Sequence, residues 1–538
     1  MSARIVPIKK SIATGGAPVR FLPRTPERYT GLIMLTRRHF VLNAAVLALA
    51  SQTRFAHALS ANVYHNPIMG GDHPDASPIR VGDDFYLTHS SFDYAPGLLI
   101  WHSRDLINWR PAAAALRRYY GNVYAPYLCE YQGHFYIYFP ADQRLYVVHA
   151  DHPTGPWSEP VSLGIDAIDP GHIAEGGRRF LYMNHGRMAE LNADGLSVKT
   201  PPRNVYDAWP LPASMRMECM CLEGPKLLEH NGYFYLNVGE GGTGGPGTSH
   251  AVVSARSRHA EGPWEFSPSN PIVHTPSRDD RWLSLGHGRL VDTPDGKWFI
   301  TVHSYENGYR TLGRQLMLLP VEWTPDGWWR IPKGVTADAA IPMPIPGTSQ
   351  QPTFDPSDDF TTPELGLQWA FWREFDPARF TTGNGALTLQ AKGKSLAETS
   401  ALTTPVGGHS YTVEIDIELS PGCEAGLMAF YNPQHAAGIV FSQEGIGARN
   451  PNGFIPSRHQ PGATRATLRI VNDRQELDFY YRIPGQNWMR TPESAEISGL
   501  HHNVLDGFLD VRPAVYACGA GQATFHNFRY WPEVKAPV

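Results

Sequence analysis

The sequence predicts an all-β protein of two parts, a five-bladed β-propeller followed by a β-sandwich. At 538 residues the chain is too long for one ordinary core. It contains 51 glycines, 47 prolines and 11% aromatic residues, a composition typical of many short strands joined by tight turns. A turn glycine followed by an aromatic-rich strand recurs five times, and this repeat indicates the propeller.

Residues 1–58 have the pattern of a twin-arginine export signal. Arg37 and Arg38 precede an apolar run at 40–50, and Ala56 and Ala58 flank His57 in a small-x-small cleavage signal. The run is too short to span roughly 30 Å of hydrocarbon, so we expect no membrane span once the signal is removed. The pattern predicts an exported protein, periplasmic or secreted.

The propeller is predicted over residues 59–345. The turn glycines are 51, 44, 55 and 64 residues apart, at Gly82, Gly133, Gly177, Gly232 and Gly296. A second hairpin ending in tryptophan follows four of the five units, at Trp109, Trp157, Trp264 and Trp323. Two hairpins per unit indicate a four-stranded blade. An irregular all-β sandwich is the alternative.

The segment at 346–357, rich in Pro and Ser, is the predicted linker. Beyond it, residues 358–538 are predicted to form the β-sandwich. Segments of alternating polarity occur there without a competing helical period, at 385–390, 411–419, 425–431, 466–471 and 477–482.

Charge and cysteine content exclude two classes of site. Residues 1–58 carry a net charge of +8, so the rest of the chain carries −13 where the whole carries −5. An acidic chain is a poor nucleic-acid partner, because phosphate binding needs clustered Lys and Arg. Cys219 and Cys221 have no second pair at zinc spacing. A disulfide between Cys423 and Cys518 is conceivable, but we expect the cysteines to be buried small apolar residues.

The repeat also predicts which residues reach the propeller axis. The first strand of each blade should begin seven to nine residues before its turn glycine, and the innermost strands line the channel. The corresponding residues are Asp75, Pro126, Asp169, Glu223 and His287. Gathering three carboxylates in a narrow channel costs electrostatic energy unless protons, hydrogen bonds or a ligand relieve it. The cluster therefore indicates a functional site, with solvated or cation-bound acids as the alternative.

Carboxylates in this arrangement could hydrolyse a glycosidic bond. One must be protonated to donate to the leaving oxygen, and another must be ionised to activate water. A third acid nearby would raise the pKa of the proton donor by like-charge repulsion.

Six ordered motifs resemble glycoside hydrolase family 43. They are HNPIMGGDHPDAS at 65–77 with GLLIWHSRDLINW at 97–109, IDP at 168–170, LEGPK at 222–226, EGGT at 240–243, LGHG at 285–288 and LGR at 312–314. The resemblance spans about 65–330, and 355–535 is more weakly similar to the concanavalin-like β-sandwich of the family's β-xylosidase-like members. Ala76 replaces a usual proline and Tyr124 a usual tryptophan, which alters the pocket but removes no acid.

The resemblance implies inverting hydrolysis of a pentose glycoside. Asp75 would be the general base, Glu223 the general acid, and Asp169 would modulate the pKa of the acid. Arg314 would bind sugar hydroxyls. His287 would lie on the axis, near a bound Ca²⁺ in some relatives, although no cofactor is required.

Other residues near these motifs have competing interpretations. Phe92, Tyr124 and Trp209 are candidate sugar-stacking platforms, with core packing as the alternative. Glu218 lies five residues before Glu223 but lacks the following Gly-Pro. Asp72 is interpreted as a turn residue.

The predicted activity is that of an exo-acting β-xylosidase on xylo-oligosaccharides. The nearest alternative is an α-L-arabinofuranosidase using the same acids. A carbohydrate-binding propeller without turnover and a structural exported protein are alternatives from other classes, and the axial acids argue against both. The sequence does not indicate an oligomeric state.

Overall fold

A computed structural model describes residues 62–352 and 354–535. The predicted export signal lies outside these residues. Helical structure in the described part is limited to one short α-helix and three 3₁₀ turns, at His502–Leu505, Arg310–Leu312, Pro377–Arg379 and Leu396–Glu398. No helix among the described residues has the length and apolar character needed to cross a bilayer.

The first part of the chain forms five antiparallel blades, each from one continuous stretch. A short strand, β1 (Val63–Tyr64), precedes them. Blade 1 contains β2 (Ser77–Val81), β3 (Asp84–Thr88), β5 (Gly97–Ser103) and β6 (Arg110–Leu116). The short strand β4 (Tyr94–Ala95) lies between β3 and β5 in the chain but is not part of this blade. Blade 2 contains β7 (Tyr127–Tyr131), β8 (His134–Ala141), β9 (Arg144–Ala150) and β10 (Val161–Asp166).

Blades 3 to 5 complete the ring. Blade 3 contains β11 (Gly171–Glu175), β12 (Arg178–Met183), β13 (Arg187–Leu191) and β14 (Arg203–Asn204). Blade 4 contains β15 (Leu222–His230), β16 (Tyr233–Glu240), β17 (Ala251–Ser257), β18 (Glu265–Phe266) and β19 (Val273–His274). Blade 5 contains β20 (Trp282–Asp292), β21 (Trp298–Glu306), β22 (Gln315–Trp323) and β23 (Trp329–Arg330), and β24 (Ile341–Pro342) then pairs with β1.

Apolar side chains from neighbouring blades pack against each other and hold the ring together. Ile100 of blade 1 shares a cluster with Ile137 of blade 2, and Phe180 of blade 3 shares one with Val253 of blade 4. The ring closes between blades 5 and 1, where Arg80 pairs with Asp292 at 2.7 Å. This arrangement confirms the five-bladed propeller.

The second part is a sandwich of two seven-stranded sheets. Its strands are β25 (Ala370–Trp372), β26 (Phe380–Gly383), β27 (Ala386–Gln390), β28 (Leu402–Thr403), β29 (Ser410–Leu419), β30 (Cys423–Asn432), β31 (His435–Ser442), β32 (Gly445–Arg449), β33 (Arg465–Asp473), β34 (Glu476–Arg482), β35 (Met489–Glu496), β36 (Arg512–Gly519) and β37 (Gln522–Trp531), together with β4. One sheet has the order β32-β31-β30-β36-β28-β25-β4 and the other β26-β27-β37-β29-β33-β34-β35.

One strand of the propeller belongs to the sandwich. β4 leaves blade 1 and pairs with β25, with Tyr94 opposite Trp372 and Ala95 opposite Phe371. It forms the edge of its sheet, where the following Pro96, which has no N–H, is tolerated. The two parts of the chain therefore share hydrogen-bonded backbone.

The cysteines differ from the prediction in one respect. Cys219 and Cys221 form a disulfide, whereas Cys129, Cys423 and Cys518 are buried free thiols. Cys423 lies opposite Gly519, and Cys518 opposite Glu424. Successive side chains point to opposite faces of a sheet, so Cys423 and Cys518 cannot pair without moving the strands.

Candidate active site

The inner strand of every blade has a left-handed residue close to its start. The angle φ is +61° at Asp75, +55° at Asp169 and +54° at His287, and the corresponding residues in blades 2 and 4 are Ala125 at +42° and Gly224 at +58°. Each lies two residues before regular pairing begins or resumes. A side chain at such a kink is re-aimed relative to the strand, and three of the five places carry an ionisable group.

This geometry corrects the predicted register by one residue in two blades. Pro126 lies one residue after the equivalent position, which Ala125 occupies, and Glu223 lies one residue before the position of Gly224. The shift at Glu223 arises because β15 starts pairing early and is interrupted between Glu223 and Lys226. Such a bulge is not visible in the spacing of turn glycines.

Asp75 is buried and held by four side chains. Its Oδ2 accepts a hydrogen bond from Ser90 Oγ at 2.5 Å, and its Oδ1 lies 2.7 Å from His287 Nδ1. Arg314 donates Nη1–H to Oδ1 at 3.1 Å, and His303 Nδ1 lies 3.1 Å from the same oxygen. These partners fix both oxygens of the carboxylate.

The surroundings of Asp75 favour its ionised form. Burial opposes ionisation, but the Arg314 charge, His287 and the hydrogen bonds from His287 and His303 outweigh it, and the pKa of Asp75 lies well below its usual value. Its neighbours therefore stabilise Asp75 as a carboxylate.

The surroundings of Asp169 and Glu223 favour the protonated form of each acid. Burial, followed by the charges of Asp169 and Asp75, raises the pKa of Glu223 well above its usual value. Burial also raises the pKa of Asp169, against the lowering effect of His287. Asp169 Oδ2 accepts the Gly224 N–H at 3.0 Å, so it holds the backbone next to Glu223. Glu223 retains partial solvent access, whereas Asp75 and Asp169 are buried.

Two cationic side chains lie beneath the carboxylates in the channel. Lys226 is 1% exposed, its Nζ has no hydrogen-bond partner, and it lies 5.3 Å from the centre of the Tyr127 ring. Burial and the Arg289 charge lower the pKa of Lys226 to about 8. Arg289 donates to Leu128 C=O at 2.7 Å and lies 4.1 Å from the same ring. Lys226 and Arg289 therefore supply positive charge to the channel from the protein itself.

The residues around Asp75 do not fit a calcium site. Asp75, His287 and His303 have ligand atoms within 4.8 Å of one another, but Ca²⁺ takes six to eight oxygen ligands. This set offers two imidazoles and one carboxylate that already has four partners, and the Arg314 guanidinium at 3.1 Å would repel a cation. His287 Nε2 is buried without a partner, but it is a single nitrogen.

The rim of the site combines both parts of the chain. Phe92 is buried with its ring 5.7 Å from Arg314 Cζ, and Phe508 of the sandwich lies 4.9 Å from the same atom. Tyr124 is half-buried, and burial together with the Asp169 charge raises its pKa to about 12. Phe508 was not predicted, because nothing in the propeller repeat points to a loop of the sandwich.

Three further residues considered from the sequence have contacts that the sequence pattern did not indicate. Trp209 is half-buried against the apolar cluster of blades 3 and 4, and its backbone N–H donates to Glu240 Oε1 at 2.8 Å. Glu218 is exposed. Asp72 is not a simple turn residue: it is buried, and its Oδ1 accepts the Arg314 N–H at 2.8 Å.

Comparison with known proteins agrees with this architecture. The family described as glycosyl hydrolases family 43 matches residues 64–329, and the beta xylosidase C-terminal concanavalin A-like domain matches 357–531. A non-reducing end alpha-L-arabinofuranosidase of Bacteroides ovatus is 31% identical over 510 residues, covering 87% of this chain and 93% of that protein. The chain belongs to glycosyl hydrolase family 43.

Further relatives of this family 43 glycoside hydrolase are named as xylosidases. The xylan 1,3-beta-xylosidase of a Vibrio species is 32% identical over 422 residues, which cover 68% of this chain and 77% of that protein. The crystal structure of a xylan beta-1,4-xylosidase from Bacillus halodurans superposes with a TM-score of 0.76 at 27% identity, covering 87% of this chain and 99% of that one. The predicted family, fold class and enzyme class are confirmed.

Proposed function

We propose that this family 43 enzyme is an exo-acting, inverting β-xylosidase that removes xylose from the non-reducing end of xylo-oligosaccharides. The observation that carries the proposal is the opposite pKa shift of two carboxyls in one channel, low for Asp75 and high for Glu223. Carboxyls whose environments drive their pKa values apart are suited to separate acid and base roles.

The proposed reaction is a single displacement. Glu223 donates its proton to the glycosidic oxygen as the bond to the anomeric carbon breaks. Asp75 takes a proton from the water that attacks that carbon from the opposite face. Ser90, His287 and Arg314 keep the Asp75 carboxylate ionised and oriented.

Asp169 has a separate role in this proposal. Its charge raises the pKa of Glu223, and its contact with the Gly224 N–H fixes the backbone that carries the acid. Arg314 Nε is buried without a partner, so we assign it to a sugar hydroxyl of the bound substrate. Phe92 and Tyr124 would face the sugar ring. Exo action is supported by Phe508, which places the sandwich against Arg314 at the rim.

The stereochemical outcome and the substrate test the proposal together. Proton NMR during hydrolysis of xylobiose should show α-xylose as the first product, because inversion at a β-linkage gives the α-anomer. Initial appearance of β-xylose would contradict a single displacement. Xylobiose with 1,3- and 1,4-linkages should be compared, because the relatives above are named for different linkages.

An α-L-arabinofuranosidase is the second candidate. The relative from Bacteroides ovatus carries that name and aligns with 87% of this chain. Release of p-nitrophenol from the β-D-xyloside and the α-L-arabinofuranoside, compared as kcat/KM, separates the two. A higher value on the arabinofuranoside would assign the enzyme to the second candidate.

We propose that hydrolysis needs no metal ion. The Arg314 guanidinium next to Asp75 and the buried Lys226 already supply positive charge at the site. Activity after treatment with EDTA should equal that of the untreated enzyme, and a loss restored by added Ca²⁺ would contradict this.

We also propose that the chain is exported through its twin-arginine signal. A disulfide such as Cys219–Cys221 persists in oxidising compartments. Replacing Arg37 and Arg38 with lysine should retain the enzyme in the cytoplasm. Activity that still appears in the periplasm or medium would contradict this route.

A further inference from the structure

We propose that Asp510 of the sandwich is a positioning residue for hydrolysis that shares one proton with Asp72 of the propeller. Asp72 accepts the backbone N–H of Arg314, and the Arg314 guanidinium binds Asp75. The catalytic part of this inference rests on the proposed function. The shared proton does not, since it can be measured without substrate.

On the propeller side, Asp72 fixes the backbone of Arg314. It is 2% exposed, and its Oδ1 accepts the Arg314 N–H at 2.8 Å, while Arg314 C=O accepts the His73 N–H at 3.0 Å. A Cβ atom at Gly313 would lie 2.3 Å from Asp72 Oδ1, so only glycine allows this approach. The second oxygen of Asp72, Oδ2, is buried and has no hydrogen-bond partner.

On the sandwich side, Asp510 also has one buried carboxylate oxygen without a hydrogen-bond partner. It is fully buried, its Oδ1 accepts from Arg512 Nε at 2.7 Å, and its Oδ2 has no partner. The next residue, Val511, donates its N–H to Thr311 C=O at 2.8 Å. Asp510 is therefore attached to the short turn that leads into Arg314.

The charges around the pair leave room for one proton. Burial, followed by the Asp510 charge, raises the pKa of Asp72 to about 8, although Arg314 and Arg512 act against it. Burial likewise raises the pKa of Asp510 against the effect of Arg512. Arg314 already pairs with Asp75 and Arg512 with Asp510, so a further buried negative charge at Asp72 is costly unless it is neutralised. A proton between the two free Oδ2 atoms satisfies both carboxyls. The titratable groups whose pKa values Asp72, Asp510 or Arg512 shift in turn, and which therefore surround the pair, are His73, His89, Tyr94, Tyr305, Tyr411 and Tyr431.

The pair connects the sandwich to the catalytic base. The Asp510 charge raises the pKa of Asp72, Asp72 accepts the backbone N–H of Arg314, and the Arg314 guanidinium donates to Asp75. A small displacement of Arg314 changes both the orientation and the pKa of Asp75. The sandwich thus acts on the reaction through a residue that touches no reacting atom.

The shared proton has a thermodynamic signature. The folded state retains a proton that an unfolded aspartate releases near pH 4, so the stabilisation is complete below about pH 4 and is lost as pH rises towards about 8. Asp72→Asn mimics the protonated acid at every pH. We expect its melting temperature to be close to wild type at about pH 5 and to exceed it by about 2 °C or more at about pH 9.

Two further variants, Asp510→Asn and the double Asn variant, test whether both acids share the proton. Asp510→Asn should behave in the same way as Asp72→Asn, because either carboxyl can be the neutral partner. The double Asn variant should be less stable than either single variant at both pH values, because it leaves Arg512 without a buried anion. Parallel curves of melting temperature against pH for wild type and both single variants, or a single variant that fails to fold, would overturn the shared proton.

The catalytic part needs a separate readout. Asp510→Ala should displace Arg314 from Asp75 and so lower kcat/KM by on the order of 10- to 10²-fold. It should also shift the acidic limb of the pH profile of kcat/KM. Asp510→Asn should restore both. Arg373→Gln removes another pair between sandwich and propeller, with Asp93 at 3.2 Å, and should change neither. Equal activity in Asp510→Ala and wild type would overturn the positioning role, whereas inactive wild type would refute the proposed function alone.

Discussion

The carboxyls of Asp75 and Glu223 differ in the charge of the groups that face them. Asp75 is surrounded by Arg314, His287 and the Ser90 hydroxyl, while the largest charge effects on Glu223 come from two other acids, Asp169 and Asp75. Both side chains are ordinary carboxylic acids, so the arrangement of their neighbours shifts the two pKa values in opposite directions.

Replacing the proposed acid should have an effect that depends on the leaving group. Glu223→Gln cannot donate a proton, so we expect kcat on xylobiose to fall by about 10²–10⁴. The loss should be much smaller on an aryl xyloside whose leaving group needs no proton. Steady-state kinetics on both substrates measure this, with Glu229→Gln, an exposed glutamate of the same strand, as control. An equal loss on both substrates would contradict the acid role, and Asp75→Asn should show that equal loss.

Replacing the third acid should shift the pH profile in one direction. The Asp169 charge raises the pKa of Glu223, so Asp169→Asn should lower that pKa. The basic limb of kcat/KM, where the acid loses its proton, should therefore move to lower pH. Asn can still accept the Gly224 N–H, which separates charge from structure. A basic limb that stays in place would count against the tuning role.

At the scale of the element, the left-handed residue near the start of each inner strand determines which side chains meet. Blade 4 uses glycine there, and a Cβ at Gly224 would lie 2.4 Å from His287 Cδ2. The bulge that contains Gly224 places Glu223 one residue out of step with Asp75 and Asp169. Backbone conformation, as well as residue type, thus defines the site.

Alanine at Gly224 should therefore damage activity beyond its effect on stability. A left-handed alanine costs about 1–2 kcal/mol, and here its methyl group would also push His287 away from Asp75. Gly82→Ala is the matched control, since Gly82 has φ of +62° with nothing within 4 Å of an added Cβ. Both variants should melt earlier, but only Gly224→Ala should lose kcat. Full activity in Gly224→Ala would show that His287 is not needed.

The sequence predicted the elements better than their contacts. The glycine repeat predicted five blades and a channel with three acids, because local turn chemistry repeats along the chain. It could not predict His303, which meets Asp75 only through the pairing of β21 with β20 and the closure of the ring. It also missed β4, because a two-residue strand has no measurable period, and the Cys219–Cys221 disulfide, because spacing alone does not specify pairing.

At the scale of the whole molecule, the boundary between propeller and sandwich is part of the fold. Phe92, Tyr94 and Leu312 of the propeller belong to the same apolar cluster as Leu427 and Val515 of the sandwich. Shared backbone pairing at β4 and the hydrogen bond from the Val511 N–H to the Thr311 C=O at 2.8 Å add polar contacts. The shared apolar cluster and the shared backbone pairing both oppose relative motion of the two parts.

We expect the two parts to unfold as one unit. In a urea titration, tryptophan fluorescence and enzymatic activity should be lost at the same midpoint, because Phe92, Tyr94 and Leu312 of the propeller are buried in the apolar cluster of the sandwich. Coincident transitions are the test of two-state behaviour. Loss of activity at a lower urea concentration than loss of fluorescence would show that the sandwich separates first.

The contribution of β4 to the sandwich also constrains how such an enzyme can evolve. Recombination that moved the catalytic ring to a new fusion partner would expose Tyr94 and Ala95 as an unpaired edge, which is an aggregation hazard. The ring and its sandwich should therefore be inherited together, and changes in specificity should arise in loops at the rim rather than by exchange of the second module.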